Sequence, residues 1–170
     1  MVMPPPSMCV DPVARILSWD DAQRWRRAQS GRVAFTNGVF DLLHPGHIDV
    51  LRGARGAGDA LVVALNSDAS VRRLKGPTRP VRTYEERACV VAALSMVDIV
   101  VVFEEDTPQR LIEWLLPDVL VKGGDYTPET MVGADVVRAH GGRVVVIPLT
   151  PGHSTTRTVT RLGTDSLLPE

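Results

Sequence analysis

The chain alternates between short apolar runs and longer segments with helical signals. Five runs rich in β-branched residues occupy residues 32–36, 60–65, 98–103, 118–121 and 143–147. Short, continuously apolar runs are typical of strands that helices cover on both faces, as in parallel sheets. The alternation therefore predicts an α/β fold, a Rossmann-like doubly wound five-stranded parallel sheet with helices on both faces in a single domain.

Helix caps support this division of the chain. Thr83 followed by Glu86 has the spacing of a capping box that opens a helix. Two Thr-Pro pairs, at 107–108 and 127–128, each predict a capping hydroxyl before a proline at the first helical position. The second of these helices is expected to end at Gly141.

The length and composition fit one compact domain. The chain has 170 residues, which is a usual size for a single domain. Three consecutive prolines near the N-terminus predict a flexible tail over residues 1–12, followed by the domain over 13–162 and a C-terminal tail over 163–170.

Charge and apolar patterning exclude several classes of protein. With 19 basic and 20 acidic residues the net charge is −1, so we expect no nucleic-acid partner. No apolar stretch approaches the roughly 18 residues of a membrane helix, so we expect no membrane partner. The two cysteines form no CxxC pair, and no secretory signal is visible, which together indicate a cytoplasmic protein.

The most informative motif spans residues 35–47 and connects the first strand to a helix. Gly38 and Gly46 allow close approach of the backbone to a ligand, and Pro45 suits the first turn of a helix. His44 and His47 are three residues apart, so they share one face of a helical turn. At a helix N-terminus, two imidazoles can donate hydrogen bonds to a phosphoryl group as it gains charge.

Two plainer interpretations of the histidines stay open. A His-x-x-His pair could bind zinc, although no HExxH or CxxC set accompanies it. Either histidine could instead cap the helix.

The motif resembles the HxGH signature of the nucleotidyltransferase superfamily. From residue 35 to about 162 the chain is most similar to the heptose 1-phosphate adenylyltransferases of that superfamily. Four further stretches carry the resemblance, and their joint order is more specific than HxGH alone: residues 66–76, 79–81, 122–126 and 154–157.

The resemblance implies transfer of AMP from ATP to D-glycero-D-manno-heptose 1-phosphate, with Mg²⁺ accompanying the triphosphate and pyrophosphate leaving. The ADP-heptose product would serve lipopolysaccharide or surface glycan synthesis. It implies a free-standing enzyme whose sugar phosphate another protein makes, and it leads us to expect a homo-oligomer.

The resemblance also implies roles for individual residues. His44, His47 and Lys75 are expected to be catalytic. The nucleotide is expected to contact Thr36, Asn37, Gly38, Val39, Phe40, Lys122, Gly123, Asp125, Ser154, Thr155, Thr156 and Arg157. The sugar phosphate is expected to contact Asp41, Asn66, Asp68 and Arg82. The metal ligands stay unknown.

Several of these residues have alternative interpretations. Lys75 belongs to a cationic run whose arginines could simply form a solvated face. Gly123 and Gly124 could form a tight turn before the next helix, and whether Asp125 contacts nucleotide or acceptor is open. A cap alone would explain Ser154 but not the whole hydroxyl cluster that follows it.

Rival functions remain at this point. One rival uses GTP to make GDP-heptose, or acts on glycerol phosphate or another sugar phosphate. A rival of another class is a nucleotide-sensing module without turnover. The chain lacks the P-loop pattern GxxxxGK followed by Ser or Thr, and its glycines at 53, 56 and 58 do not spell GxGxxG.

Overall fold

A computed structural model describes residues 11–124, 127, 130–148, 155 and 159–160 of the chain. A short 3₁₀ helix, Pro12–Arg15, comes first. The strands are β1 (Ile16–Leu17), β2 (Val33–Gly38), β3 (Ala60–Asn66), β4 (Ile99–Phe103), β5 (Val119–Gly123) and β6 (Arg143–Ile147). The α-helices are α1 (Trp19–Arg27), α2 (Pro45–Ala57), α3 (Asp68–Lys75), α4 (Tyr84–Ala92), α5 (Gln109–Leu115) and α6 (Ala134–Ala139).

The strands form one sheet in the order β1-β4-β3-β2-β5-β6, and every pairing is parallel. The order runs from β2 through β3 to β4 in one direction and from β2 through β5 to β6 in the other. The winding therefore reverses at β2, and ligands of such sheets bind beyond the strand ends at that point. The doubly wound parallel α/β fold is confirmed.

The described sheet has six strands, so the expected count of five was wrong. The additional strand, β1, contains only Ile16 and Leu17, which pair with Val100 and Val101 at the edge of the sheet. Two residues are too few to give a periodic signal.

Two apolar cores lie on opposite faces of the sheet. On one face Val33, Phe35 and Val62 pack with residues of α1, α5 and α6. On the other face Ala34 and Leu61 pack with residues of α2 and α4. Alternate residues of each strand thus enter different cores, which requires strands that are apolar throughout.

The helix caps are partly as predicted. Thr83 and Glu86 form both hydrogen bonds of a capping box at α4, as expected. The helix after Thr107 begins one residue later, at Gln109, with Pro108 at the cap position and no side-chain cap, so the predicted Thr107 cap was wrong. The next described helix begins at Ala134, and Thr130 is hydrogen-bonded to Thr127 ahead of it. Pro128, where that helix was expected to begin, lies outside the described residues. Gly141 follows that helix at φ +79°, as expected.

In the described part of the chain, no helix has both the length and the apolar character needed to cross a bilayer.

Candidate active site

The loop between β2 and α2 leaves the sheet at the point where the winding reverses. Phe40 and Leu42 both have positive φ, 47° and 50°, although neither is glycine. Left-handed backbone costs a non-glycine residue about 1 kcal/mol or more, so surrounding contacts must hold this loop in place. Strained backbone of this kind is common at active sites.

His44 and His47 stack against each other at the start of α2. Their ring centroids are 3.8 Å apart and the ring planes differ by 17°. The chain turns tightly here, because the His44 carbonyl accepts a hydrogen bond from the His47 amide at 2.9 Å. The prediction that the two imidazoles share one face is confirmed.

The plainer interpretations of the histidines find little support. His44 occupies the N-cap position of α2, but its side chain makes no capping hydrogen bond. Within the described ranges, no three His, Cys, Asp or Glu side chains are grouped so that they could hold a metal ion.

The imidazole of His47 is held in its neutral form. Burial, then the charges of His44 and Lys75, lower its pKa to about 4, against a smaller opposing effect of Asp41. Its Nδ1 atom is buried and has no hydrogen-bond partner. At neutral pH His47 therefore has one ring N–H to donate and carries no charge.

Lys75 ends α3 and lies close enough to affect His47. It is followed by Gly76 at φ +95°, where the helix stops. Partial burial, then the charge of Arg79, lower the pKa of Lys75. More than a third of the Lys75 surface is exposed, so solvent weakens these effects. A cation beside another cation favours an anionic ligand.

A polar cavity of about 390 Å³ opens beside this loop, beyond the carboxyl ends of β2, β3 and β5. Both lysines of the chain line it, together with Gly38 and Val39, which immediately precede the Phe40 that contacts His47. The remaining lining residues are Asn37, Asn66, Leu74, Asp106, Thr107, Pro108, Gly123, Thr130, Met131 and Val132.

Lys122 reaches across from β5 to the end of β2. Its Nζ donates to Oδ1 of Asn37 at 2.7 Å and to the Asn37 carbonyl at 3.2 Å. Burial lowers the pKa of Lys122 to about 8. Lys122 thus fixes the Asn37 side chain and brings positive charge to the cavity.

Thr36 differs from the rest of the predicted nucleotide loop. It lies within β2, paired with Val63 on one side and Val121 on the other, and only 1% of its surface is exposed. Thr36 is the last residue of β2 that pairs on both sides, since Asn37 and Gly38 pair only with β3.

Asp41 does not face the cavity as the predicted substrate contact would. Only 1% of its surface is exposed, and its carboxylate accepts hydrogen bonds from the Arg79 side chain and from the amides of Val81 and Arg82. Burial would raise the pKa of Asp41, but the hydrogen bonds from Val81 and Arg79 outweigh it and lower the pKa. The Asp41 side chain is thus held by protein groups, and its contact with the sugar phosphate stays a prediction.

The other predicted acceptor residues are also tied to protein groups. Asp68 pairs with Arg87 at 2.7 Å, and Arg82 pairs on the surface with Glu86 at 3.1 Å. Asn66 lines the cavity, with its side chain donating to Ser70.

Thr155 connects the distant C-terminal motif to the histidine loop. Its hydroxyl donates to the Asp41 carbonyl at 2.9 Å, although the two residues are 114 positions apart in the chain. Asp125, Ser154, Thr156 and Arg157 lie outside the described residues.

A family model described as cytidylyltransferase-like matches residues 35–161, from the end of the first long strand through the Thr155 segment. The chain belongs to the cytidylyltransferase-like family. The resemblance to HxGH nucleotidyltransferases inferred from the motifs is confirmed.

Curated relatives match most of the chain. A protein named Bifunctional protein HldE from Acidiphilium cryptum is 58% identical over 150 residues, which cover 88% of this chain and 31% of the relative. The protein of that name from Mesorhizobium japonicum is 63% identical over 134 residues, covering 79% of this chain and 27% of the relative. The chain thus spans less than a third of the length of these relatives.

Solved structures with the same architecture include other members of this fold. A lipopolysaccharide core biosynthesis protein from Thermoplasma volcanium has 26% identity and a TM-score of 0.57, covering 71% of this chain and 98% of that one. A pantoate-beta-alanine ligase from Francisella tularensis has a TM-score of 0.61 at 15% identity, covering 85% and 72%, and supports the fold alone.

Arg87 is a buried residue of this cytidylyltransferase-like domain whose contacts with the cavity-lining residues Val39 and Asn66 the sequence motifs did not reveal. It is buried on α4 and donates to the carbonyls of Val39 and Asn66, at 2.6 and 2.8 Å, while pairing with Asp68. It therefore joins the ends of β2 and β3 beneath the cavity. The only signal in the sequence was a charged residue on a helix that packs against the sheet.

A larger depression of about 700 Å³ lies beside the same loop, lined by Phe40, Leu42, Leu43 and α4. Its walls are largely apolar, and neither lysine of the chain lines it. Arg82 and Arg87 are the cations of this depression, whereas both lysines line the smaller cavity.

Proposed function

We propose that the chain transfers AMP from ATP to D-glycero-D-manno-heptose 1-phosphate, releasing pyrophosphate and forming ADP-heptose for lipopolysaccharide or surface glycan synthesis. Family membership supports nucleotidyl transfer. The HldE relatives, 58–63% identical over the matched region, support the heptose substrate.

The observation that carries the proposal is the stacked imidazole pair at the N-terminus of α2, in which His47 is neutral, with Lys75 nearby. The free amides of a helix N-terminus favour a phosphate, and a ring N–H can donate a hydrogen bond to that phosphate as negative charge builds on it. Such donors stabilise a transition state with little reorganisation.

The reaction needs no general base. An oxygen of the sugar phosphate forms a bond to the α-phosphorus of ATP, the bond from that phosphorus to the bridging oxygen breaks, and pyrophosphate leaves with the electron pair. The second pKa of a phosphate monoester is about 6, so the attacking oxygen is already ionised at neutral pH. Asp41, the carboxylate beside the histidines, is consistent with this because its oxygens are already engaged.

The site residues take complementary positions in this proposal. His44 and His47 hold the α-phosphate, and Lys75 attracts the attacking phosphate toward it. The ribose and base lie along Lys122 and Gly123. The family motif supports nucleotide contacts for Asp125 and pyrophosphate contacts for Ser154, Thr155, Thr156 and Arg157.

Mg²⁺ enters as part of the substrate, MgATP. Magnesium is commonly bound through substrate phosphates, one or two carboxylates and several waters rather than by a protein cage. The described residues contain no group of three potential ligands, which suits an ion carried mainly by the triphosphate.

Pyrophosphate release measured with each anomer of heptose 1-phosphate, and with ATP, GTP and CTP in turn, tests the proposal. We expect one anomer with ATP to give a rate at least about tenfold above every other pair, a discrimination of the size that a few contacts supply. Faster pyrophosphate release with GTP than with ATP would show that the nucleotide donor is GTP. No release with any pair would overturn the proposed reaction.

A further inference from the structure

Asp41 and Arg79 form a buried ion pair next to the proposed reaction site. Oδ2 of Asp41 accepts from Nη2 of Arg79 at 2.8 Å and from Nε at 3.0 Å. The side chains are 1% and 8% exposed. A two-pronged guanidinium contact of this kind fixes direction as well as distance, which a lysine could not do.

The pair joins two segments that both carry site residues. Asp41 lies three residues before His44, between the strained residues Phe40 and Leu42. Arg79 lies four residues after Lys75, on the loop that follows α3. The contact therefore ties the histidine loop to the lysine loop.

Asp41 accepts further hydrogen bonds besides those from Arg79. Its oxygens also accept from the amides of Val81 and Arg82, at 2.9 and 3.2 Å. The Asp41 carbonyl accepts from the hydroxyl of Thr155 at 2.9 Å. Three segments far apart in sequence thus meet at Asp41.

We propose that Arg79 is a positioning residue, which acts through Asp41 to hold Lys75 beside the imidazole pair. The expected kinetic effects rest on the proposed function, whereas the contact between Arg79 and Asp41 that joins the two loops is independent of it. The charge of Arg79 lowers the pKa of Lys75, and the charge of Lys75 lowers the pKa of His47, which is consistent with such a cluster.

The test compares Arg79→Gln with Arg79→Lys and with Arg24→Gln, which removes an exposed pair on α1 far from the site. We expect Arg79→Gln to lower kcat about thirtyfold, because small misplacement of a catalytic group can cost up to about a hundredfold. The KM for ATP should stay within about threefold. Arg79→Lys should recover part of kcat, and Arg24→Gln should match the unaltered chain.

A double-mutant cycle asks whether Arg79 acts through Lys75. In a Lys75→Ala background, Arg79→Gln should lower kcat by no more than about twofold, because the group that it positions is gone. A full thirtyfold loss in that background, or unchanged kcat in Arg79→Gln alone, would overturn the inference.

Hydrogen exchange separates this inference from the proposed reaction. In Arg79→Gln the amides of Val81 and Arg82 should exchange at least about tenfold faster, while those of α5 stay unchanged. If these amides keep their protection, the positioning role is wrong whatever the activity. If they lose it while no acceptor is turned over by the unaltered chain, the arrangement stands and the proposed reaction is wrong.

Discussion

At the scale of single residues, His47 carries the largest expected effect on the reaction. Replacing it by alanine removes a donor that strengthens as charge develops, so we expect His47→Ala to lower kcat at least about a hundredfold. The control is His140→Ala, since His140 is exposed at the end of α6. Pyrophosphate release measures kcat, and near-normal turnover with an unchanged melting temperature would remove His47 from the mechanism.

The lowered pKa of His47 also predicts how the free energy of unfolding depends on pH. Its pKa is about 4 when folded and near the ordinary 6.5 when unfolded. Between these values the unfolded chain binds the extra proton, so the stability contributed by neutral His47 is present above pH 6.5 and is lost as pH falls toward 4. The full loss is up to about 3 kcal/mol.

Urea unfolding at pH 7 and pH 4.5 measures this loss against His47→Asn, which cannot titrate in that range. We expect the unaltered chain to lose about 2 kcal/mol more than the variant over that interval. Equal losses in the two proteins would show that His47 is not held neutral by the fold.

Candidate site residues could be inferred from sequence where they belong to a local motif. Contacts between residues far apart in the chain could not. The spacing of His44 and His47 predicted that they share one face, and the resemblance to a family singled out Lys75. Arg79 and its partner Asp41 are 38 residues apart in the chain, and Arg87 donates to the carbonyl of Val39, 48 residues away. Nothing in a single sequence reports such pairings, so the contact between Asp41 and Arg79 was not predicted.

At the scale of elements, α4 should depend measurably on its capping box. Thr83→Ala removes the hydroxyl that accepts from the Glu86 amide, so we expect a loss of about 1 kcal/mol in the free energy of unfolding. Thr107→Ala is the matched control, since the Thr107 position precedes a helix without capping it. Chemical unfolding of both variants distinguishes them, and equal losses would contradict the assigned cap.

The approach of β5 to α2 is a second feature at this scale. A side chain at Gly123 would collide with Val50, whose branched side chain is too short to move aside. We expect Gly123→Ala to destabilise the protein by about 1–3 kcal/mol, as overpacking does. Gly56→Ala, on α2 with open space around it, should instead stabilise by about 0.5–1 kcal/mol.

Thermal and urea unfolding of the two glycine variants provide the measurement. Because both replace glycine by alanine, their difference isolates the steric contact from the change in backbone entropy. A neutral Gly123→Ala would mean that β5 and α2 are less closely packed than the structure has them.

Helices and strands could be predicted from sequence where their own residues carry a strong local pattern. The five apolar strands and the α4 cap were recovered because each carries a complete local signal. Edge strand β1 has two residues and depends on β4 for its existence.

At the scale of the whole molecule, the site lies over the central strand and draws on both halves of the sheet. Lys75 follows β3 on one side of β2, whereas Lys122 ends β5 on the other. The sequence predicted this meeting because parallel strands align their carboxyl ends. It could not predict the cavity walls from Asp106, Thr107 and Thr130, which belong to no motif.

A nucleotide bound in that position should protect both halves of the sheet together. With MgATP at about a hundred times its dissociation constant, the free energy of unfolding should rise by about 2.7 kcal/mol. Hydrogen exchange should slow in the α3 segment and in the β5 segment alike, because the ligand spans Lys75 and Lys122, 47 residues apart in the sequence. Helix α1, which packs on the sheet away from the cavity, should be unaffected and serves as the internal reference. Protection confined to one half would place the nucleotide to one side of β2 and would separate one lysine from the nucleotide.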